Sequence, residues 1–153
     1  MRKVIRYDRL AAAAYAETWA LGRNPAYGDF SHMGGDCANF ASQCLKAGWK
    51  DMARDWYYRS MRDRTPSWSS TRFLRAWLLD TGRAEMCSVW EAEAGDLIVL
   101  WNGRRYYHTL VVLTGGSDPL VAAHTHDARY RALSSYAARA REALHILDII
   151  EKL

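Results

Sequence analysis

Residues 34–43 read Gly34-Gly35-Asp36-Cys37-Ala38-Asn39-Phe40-Ala41-Ser42-Gln43. The two glycines predict a tight turn. Helical spacing follows, with Cys37, Phe40, Ala41, Cys44 and Leu45 on one face and Gly48 as the stop. Asp36 is a good N-cap type, whose side-chain oxygen can accept a hydrogen bond from a free amide of the first turn. Cys37 would then stand where the helix dipole is positive, which favours thiolate over thiol. Gly34-Gly35 lets the backbone approach a substrate closely, and the Cys37 amide can point at a developing oxyanion. Far along the chain, His108 opens the apolar run Thr109-Leu110-Val111-Val112-Leu113, which predicts a buried strand. A thiol at a helix start and a histidine on a strand are the nucleophile and base of a thiol hydrolase.

The rest of the composition narrows the class. A chain of 153 residues, 50% hydrophobic and 25% charged, has the size and balance of one globular domain, here taken as residues 1–153. The net charge of +4 suits an anionic polymer such as cell wall or nucleic acid, and equally serves solubility alone. Seven Trp and nine Tyr exceed what a core of this size needs, so some are expected to line a groove. Cys37, Cys44 and Cys87 are odd in number and lack CxxC spacing, which argues against a disulfide framework and a structural zinc site. No stretch approaches the ~20 apolar residues of a membrane span. No apolar segment of signal-peptide length follows the basic start, so the chain as given reads as cytoplasmic. An exported fragment or a phage-encoded lysin would instead act outside the cell or at the wall.

Tyr7, Leu10, Ala11, Ala14, Tyr15, Thr18 and Trp19 define a first amphipathic helix that Gly22 and Asn24-Pro25 end. Ser69 or Ser70 is expected to cap a further helix carrying Phe73, Leu74, Trp77 and Leu78, closed by Gly82. Residues 97–101 and 106–113 read as strands joined through the hairpin signal Asn102-Gly103, and residues 120–124 as the next strand. Residues 132–143 read as alanine-rich helix or loop, and 144–150 as a final strand or helix. Helices first and an antiparallel meander second predict an α+β domain.

His108 is the expected base, set at the mouth of its strand after Tyr106-Tyr107. His124 ends the following strand and is the expected third member, in cross-strand reach of His108. The competing reading makes both structural histidines. His124-Thr125-His126-Asp127 also suggests zinc, with His108 or His32 completing the set, but the spacing matches neither HExxH nor HxHxDH. Alternation on a strand would also send neighbouring side chains to opposite faces. No metal or other cofactor is therefore expected. No GxxxxGK[ST] or GxGxxG motif supports nucleotide binding.

Asn24-Pro25-x-Tyr27, Gly35-Asp36-Cys37-x-Asn39-Phe40-x-Ser42-Gln43-Cys44, Trp56-Tyr57-Tyr58, Ser67-Trp68, Gly95-Asp96, His108 with its apolar run, and Ala123-His124-Thr125-x-Asp127 stand in this order. Together they resemble the putative amidase domain family of the papain-like superfamily, alongside the NlpC-type and CHAP cell-wall peptidases. The resemblance runs from Tyr7 to Asp127, and its Asp-Cys-x-Asn-Phe-x-Ser-Gln block is specific. It implies a papain-like fold with N-terminal helices packed on a C-terminal antiparallel sheet, and amide hydrolysis with Cys37 as nucleophile and His108 as base. His124 falls where the NlpC-type enzymes carry their third polar residue, and Tyr27 near the tyrosine of their oxyanion site, at a slightly shorter spacing. Asp36, Asn39, Trp68 and Asp127 join Tyr27 as candidate oxyanion or substrate-binding residues, with Trp56 and Trp68 expected as groove walls. Ala38 departs from the family, where Thr is more usual. The implied substrate is a peptide or peptidoglycan stem-peptide amide, met by a monomer. Acyl transfer to an amine, or a non-catalytic module binding wall or nucleic acid, are the alternatives.

Overall fold

Asp8 accepts a hydrogen bond from the Ala11 amide (3.0 Å) and so caps α1, Arg9–Trp19. In the computed structural model, which describes residues 2–152, this helix packs against α2, Cys37–Trp49, the helix that opens on the cysteine. A short α3, Pro66–Ser69, leads into α4, Thr71–Asp80, which ends where Gly82 takes a left-handed φ of 72° and the Arg83 amide bonds back to the Leu78 carbonyl (2.9 Å). No described helix is long and apolar enough to cross a membrane.

The strands are β1 (Arg2–Ile5), β2 (Tyr58–Ser60), β3 (Asp63–Arg64), β4 (Ala84–Cys87), β5 (Leu97–Trp101), β6 (Tyr106–Thr114), β7 (Leu120–Ala123), β8 (Ala128–Ala132), β9 (Ala140–Ile146) and β10 (Ile149–Lys152). Six of them form an antiparallel sheet in the order β4-β9-β5-β6-β7-β8. The expected meander is its β5-β6-β7 part, which β8 extends. The chain then returns so that β9 fills the other side of β5, and β1 pairs with β10 in a separate ribbon. The α+β expectation is met. The segment read as alanine-rich helix or loop contains a 3-10 turn, Leu133–Ser135, and the start of β9. Its alanines alternate with arginines at 138–141, a period-two pattern that suits a strand, and helix propensity yields to pairing with β5.

The sheet is buried on both faces. Leu97, Val99, Val111, Ala122 and Leu144 meet the helices. Ile98, Leu100, Leu110, Val112 and Val121 face the opposite way, under Leu133 and Tyr136. Between Leu100 and Trp101 the β5–β6 register slips, because Leu100 pairs with His108 and Trp101 with Tyr106, leaving Tyr107 as an extra residue. Trp56 and Trp68 are not groove walls. They are 1% and 0% exposed and belong to a cluster with Trp49 and Trp77, with ring centroids 4.8–6.4 Å apart.

Gly48 is not the stop of α2 either. The helix runs on to Trp49, and Lys50 takes the left-handed closing position (φ 70°) while its amide bonds the Lys46 carbonyl. Gly48 is needed where it is because the Tyr7 ring lies against its backbone, held there by a hydrogen bond from the Tyr7 hydroxyl to the Gly95 carbonyl (2.6 Å). A Cβ at Gly48 would come within 2.3 Å of that ring. Gly→Ala inside a helix ordinarily stabilises by about 1 kcal/mol. Here overpacking against a pinned ring outweighs that gain, so Gly48→Ala should lower stability by about 1–3 kcal/mol in urea denaturation. An unchanged or raised midpoint would show that the ring yields freely.

Candidate active site

Asp36 occupies the N-cap position of α2, but its side chain makes no capping bond. The carboxylate is fully buried and turned inward. One oxygen accepts from the Phe30 amide (2.8 Å) and the Asn39 amide group (2.9 Å), and the other accepts from His124 Nδ1 (2.5 Å). The Arg23 guanidinium lies 3.6 Å from it and also holds Asp127 through two bonds (2.9 and 3.1 Å) and Asp29 at 3.3 Å. A buried carboxylate needs such partners, because losing its water shell without them costs several kcal/mol. The consequence for α2 is that Asp36 caps none of its first-turn amides.

Cys37 is the first residue of that uncapped helix and is 7% exposed at the floor of an open cleft of about 480 Å³. Gly34 and Gly35, both with positive φ, form one wall, and Ser70, Thr71 and Arg72 at the start of α4 form another. The sulfur lies 3.5 Å from the Thr71 hydroxyl, which is bonded in turn to the Thr109 hydroxyl (2.7 Å). Burial pushes the thiol upward, opposed by the Thr71 bond and by the backbone N–H groups of Thr109 and Ala38. In this arrangement Cys37 rests as a thiol. Cys44, fully buried on the same helix, is pushed up much further by burial.

His108 is not beside Cys37. Thr109 faces the helices, so strand alternation sets His108 on the far side of the sheet, across from Leu100, with the bulged Tyr107 beside it. There it is 8% exposed, between Tyr107 and Tyr136, and neither ring nitrogen is hydrogen-bonded to another described residue. Burial lowers its pKa to about 4, helped by the charges of His126 and Arg131.

The expected cross-strand approach of His124 to His108 is not made. Val111 pairs with Ala122, a register that, continued, sets Thr109 rather than His108 opposite His124. His124 is 1% exposed on the helix side and stacks on Phe40 at 3.9 Å. Its Nδ1 is held by Asp36 and its Nε2 by the Trp19 carbonyl (2.8 Å), so neither nitrogen is free for Cys37. The turn after β7 is tight, with Thr125 and His126 both at positive φ, and the Thr125 hydroxyl accepts from the Asp36 amide (2.9 Å).

The remaining candidates brace the site. Asn39 donates to the Gly28 carbonyl and to Asp36, and accepts from the Trp68 indole (2.9 Å). Tyr27 stacks on Trp68 (5.9 Å) and lines a different hollow, beside Tyr15 and Gln43. Asp127 is tied to Arg23. Arg23 and the Thr71–Thr109 pair are the participants that motif reading missed. Arginine and threonine carry no spacing signal here, and only the fold brings them together. Among the described residues, the group whose metal-binding atoms converge is Glu93, Asp96 and His145, none of which lines the cleft. Arg9 already holds the Asp96 carboxylate (2.9 Å).

Residues 6–147 match the model of the family described as the putative amidase domain. The chain is 32% identical over 95% of its length to the uncharacterized protein YhbB of Bacillus subtilis, and 34% identical over 54% of its length to the uncharacterized protein YjcM of the same organism. It spans about half of the first relative (52%) and about a fifth of the second (19%). No solved structure matches it. With a family match spanning the helices, the cleft and the six-stranded sheet alike, the chain belongs to the putative amidase domain family.

Proposed function

We propose that this domain is a cysteine-dependent amide hydrolase whose nucleophile is Cys37 and whose substrate is a peptide or peptidoglycan stem-peptide amide. The observation that carries this reading is the placement of Cys37 at an uncapped helix start on the floor of the cleft. The Cys37 and Ala38 amides have no carbonyl four residues earlier in the helix to bond, so they suit the oxyanion of a tetrahedral intermediate.

The base is His108, delivered by a one-residue migration of the β6 bulge. With the extra residue opposite Leu100, Tyr107 and His108 both face away from Cys37. Moving it opposite Val99 would turn His108 alone to the cleft side, beside Thr109, and leave every other side chain on its present face. The far pocket gives the imidazole no hydrogen bond to another described residue, whereas a turn towards the thiol would give it one. His108 then takes the Cys37 proton, the thiolate attacks the carbonyl carbon, and the C–N bond breaks as His108 protonates the leaving amine. Water, deprotonated by His108, cleaves the thioester and regenerates the thiol.

The resting separation of Cys37 and His108 supports a second reading, in which the domain binds a peptide or wall polymer without catalysis and the two threonines merely pack the sulfur. Thiol chemistry separates the two. At about pH 6, below the ~8.5 of a free thiol, iodoacetamide should label Cys37 ahead of the more exposed Cys87, and Cys37→Ser should fold normally and turn over no amide. Labelling of Cys37 no faster than Cys87 would favour the binding module. His108→Gln should lower turnover by about 10²–10⁴-fold.

The resting position of His108 has its own signature in stability. A histidine whose folded pKa is depressed to about 4 stays neutral while the unfolded chain takes up a proton below ~6.5. Its contribution is therefore present above pH ~6.5 and lost as pH falls towards 4, by up to ~1.4 kcal/mol per pH unit. Urea midpoints of the wild type should fall more steeply over this window than those of His108→Gln. Parallel curves would mean that the imidazole already rests outside the far pocket.

A further inference from the structure

The cleft above Cys37 is electropositive by construction. Its walls include Arg72 and Arg105, and no carboxylate side chain lines it. It runs into a neighbouring hollow that shares Arg72, Arg105 and Tyr106 and adds Arg75 and Arg104. Arg75 is neutralised by Glu142 (2.7 Å). Arg72, Arg104 and Arg105 are exposed and form no ion pair among the described residues.

Two helix starts add to these charges. The first turns of α2 and α4 both border the cleft, and neither Asp36 nor Ser70 makes a side-chain capping bond. By contrast, α1, which lies elsewhere, is capped by Asp8. Each start, left without a side-chain cap, carries about half a positive charge. Of the carboxylates near the cleft, Asp36 is buried and faces Arg23 and His124, and Glu142 is held by Arg75 and the Tyr106 hydroxyl.

We infer that the site is selective for amides bearing a carboxylate close to the scissile carbonyl, with Arg72 and Arg105 binding that carboxylate and the helix starts reinforcing the attraction. The inference rests on the reading of Cys37 as nucleophile and supplies the substrate class that reading leaves open. Arginine suits the task because its planar fork binds both oxygens of a carboxylate and keeps its charge at any working pH. Tyr106, also at the cleft and on its side of the sheet, offers apolar surface for the chain around the charge.

Two alkylating agents of the same size test this on the full chain. Iodoacetate carries the carboxylate next to the carbon that the sulfur attacks, and iodoacetamide is its neutral counterpart. The rate of each at Cys37 is read by mass spectrometry, and the iodoacetate-to-iodoacetamide ratio is compared with that of an unstructured cysteine peptide with neutral flanks. Cys87 is unsuitable as the reference, because Glu85, Glu91, Glu93 and Asp96 surround it with negative charge. The ratio at Cys37 should exceed the peptide's by roughly tenfold, and it should fall several-fold in 1 M salt. Arg72→Gln and Arg105→Gln, checked for folding by circular dichroism, should each reduce it. A ratio equal to the peptide's, or one unmoved by both substitutions, with Cys37 still readily labelled by iodoacetamide, would overturn the substrate class and leave the nucleophile standing. If neither reagent labels Cys37, the nucleophile reading falls and the inference falls with it.

Discussion

The buried carboxylate of Asp36 organises the site. It gathers the Phe30 amide, Asn39, His124 and Arg23, and so joins the loop before α2, the helix itself and the turn after β7 around a single charge. Because it is spent in this way it does not cap α2, whose start at Cys37 and Ala38 borders the cleft without a side-chain cap. One side chain therefore ties the sheet to the helix and leaves the helix end chemically available. Removing a single partner from such a network costs more than the bond itself, since the remaining charge stays buried. The thiol and its surroundings are a consequence of this arrangement rather than an independent feature.

The two faces of β6 divide its labour. On the helix side, Thr109 closes a hydroxyl chain to Thr71 and the Cys37 sulfur. On the other, His108 sits in an apolar layer with Leu100 and Leu110. Alternation from Thr109 decides which side the imidazole takes, and the extra residue, Tyr107, shares that side. Strand periodicity makes a side chain's face a yes-or-no property, so a shift too small to alter the fold can change which groups meet.

Much of the architecture was legible in the chain. The cysteine at the start of α2, the helix around Trp77, the β5 and β6 runs and the α+β order follow from periodicity and turn residues. The short edge strand β4 and the ribbon of β1 with β10 were not, because pairing between distant segments leaves little local pattern. At the site, residue types were easier to read than their directions. Asp36 was recognisable as an N-cap type, yet His124 and Arg23 compete for its oxygens. His108 stands at its strand mouth as expected, but the apolar run does not say which of its faces meets the helices, and alternation from Thr109 turns His108 away. Trp68 suggested a groove and is instead core, where Asn39 satisfies its indole nitrogen.

The tryptophan cluster has an optical consequence. Trp49, Trp56, Trp68 and Trp77 lie within 4.8–6.4 Å of their neighbours, close enough for their excited states to couple and exchange energy. Light absorbed anywhere in the group is shared, so its emission and near-ultraviolet dichroism report on the cluster as a unit. Trp68 is also bonded to Asn39, which is bonded to Asp36. The native fluorescence of the domain thus carries a built-in probe two hydrogen bonds from the residue that sets the thiol in place.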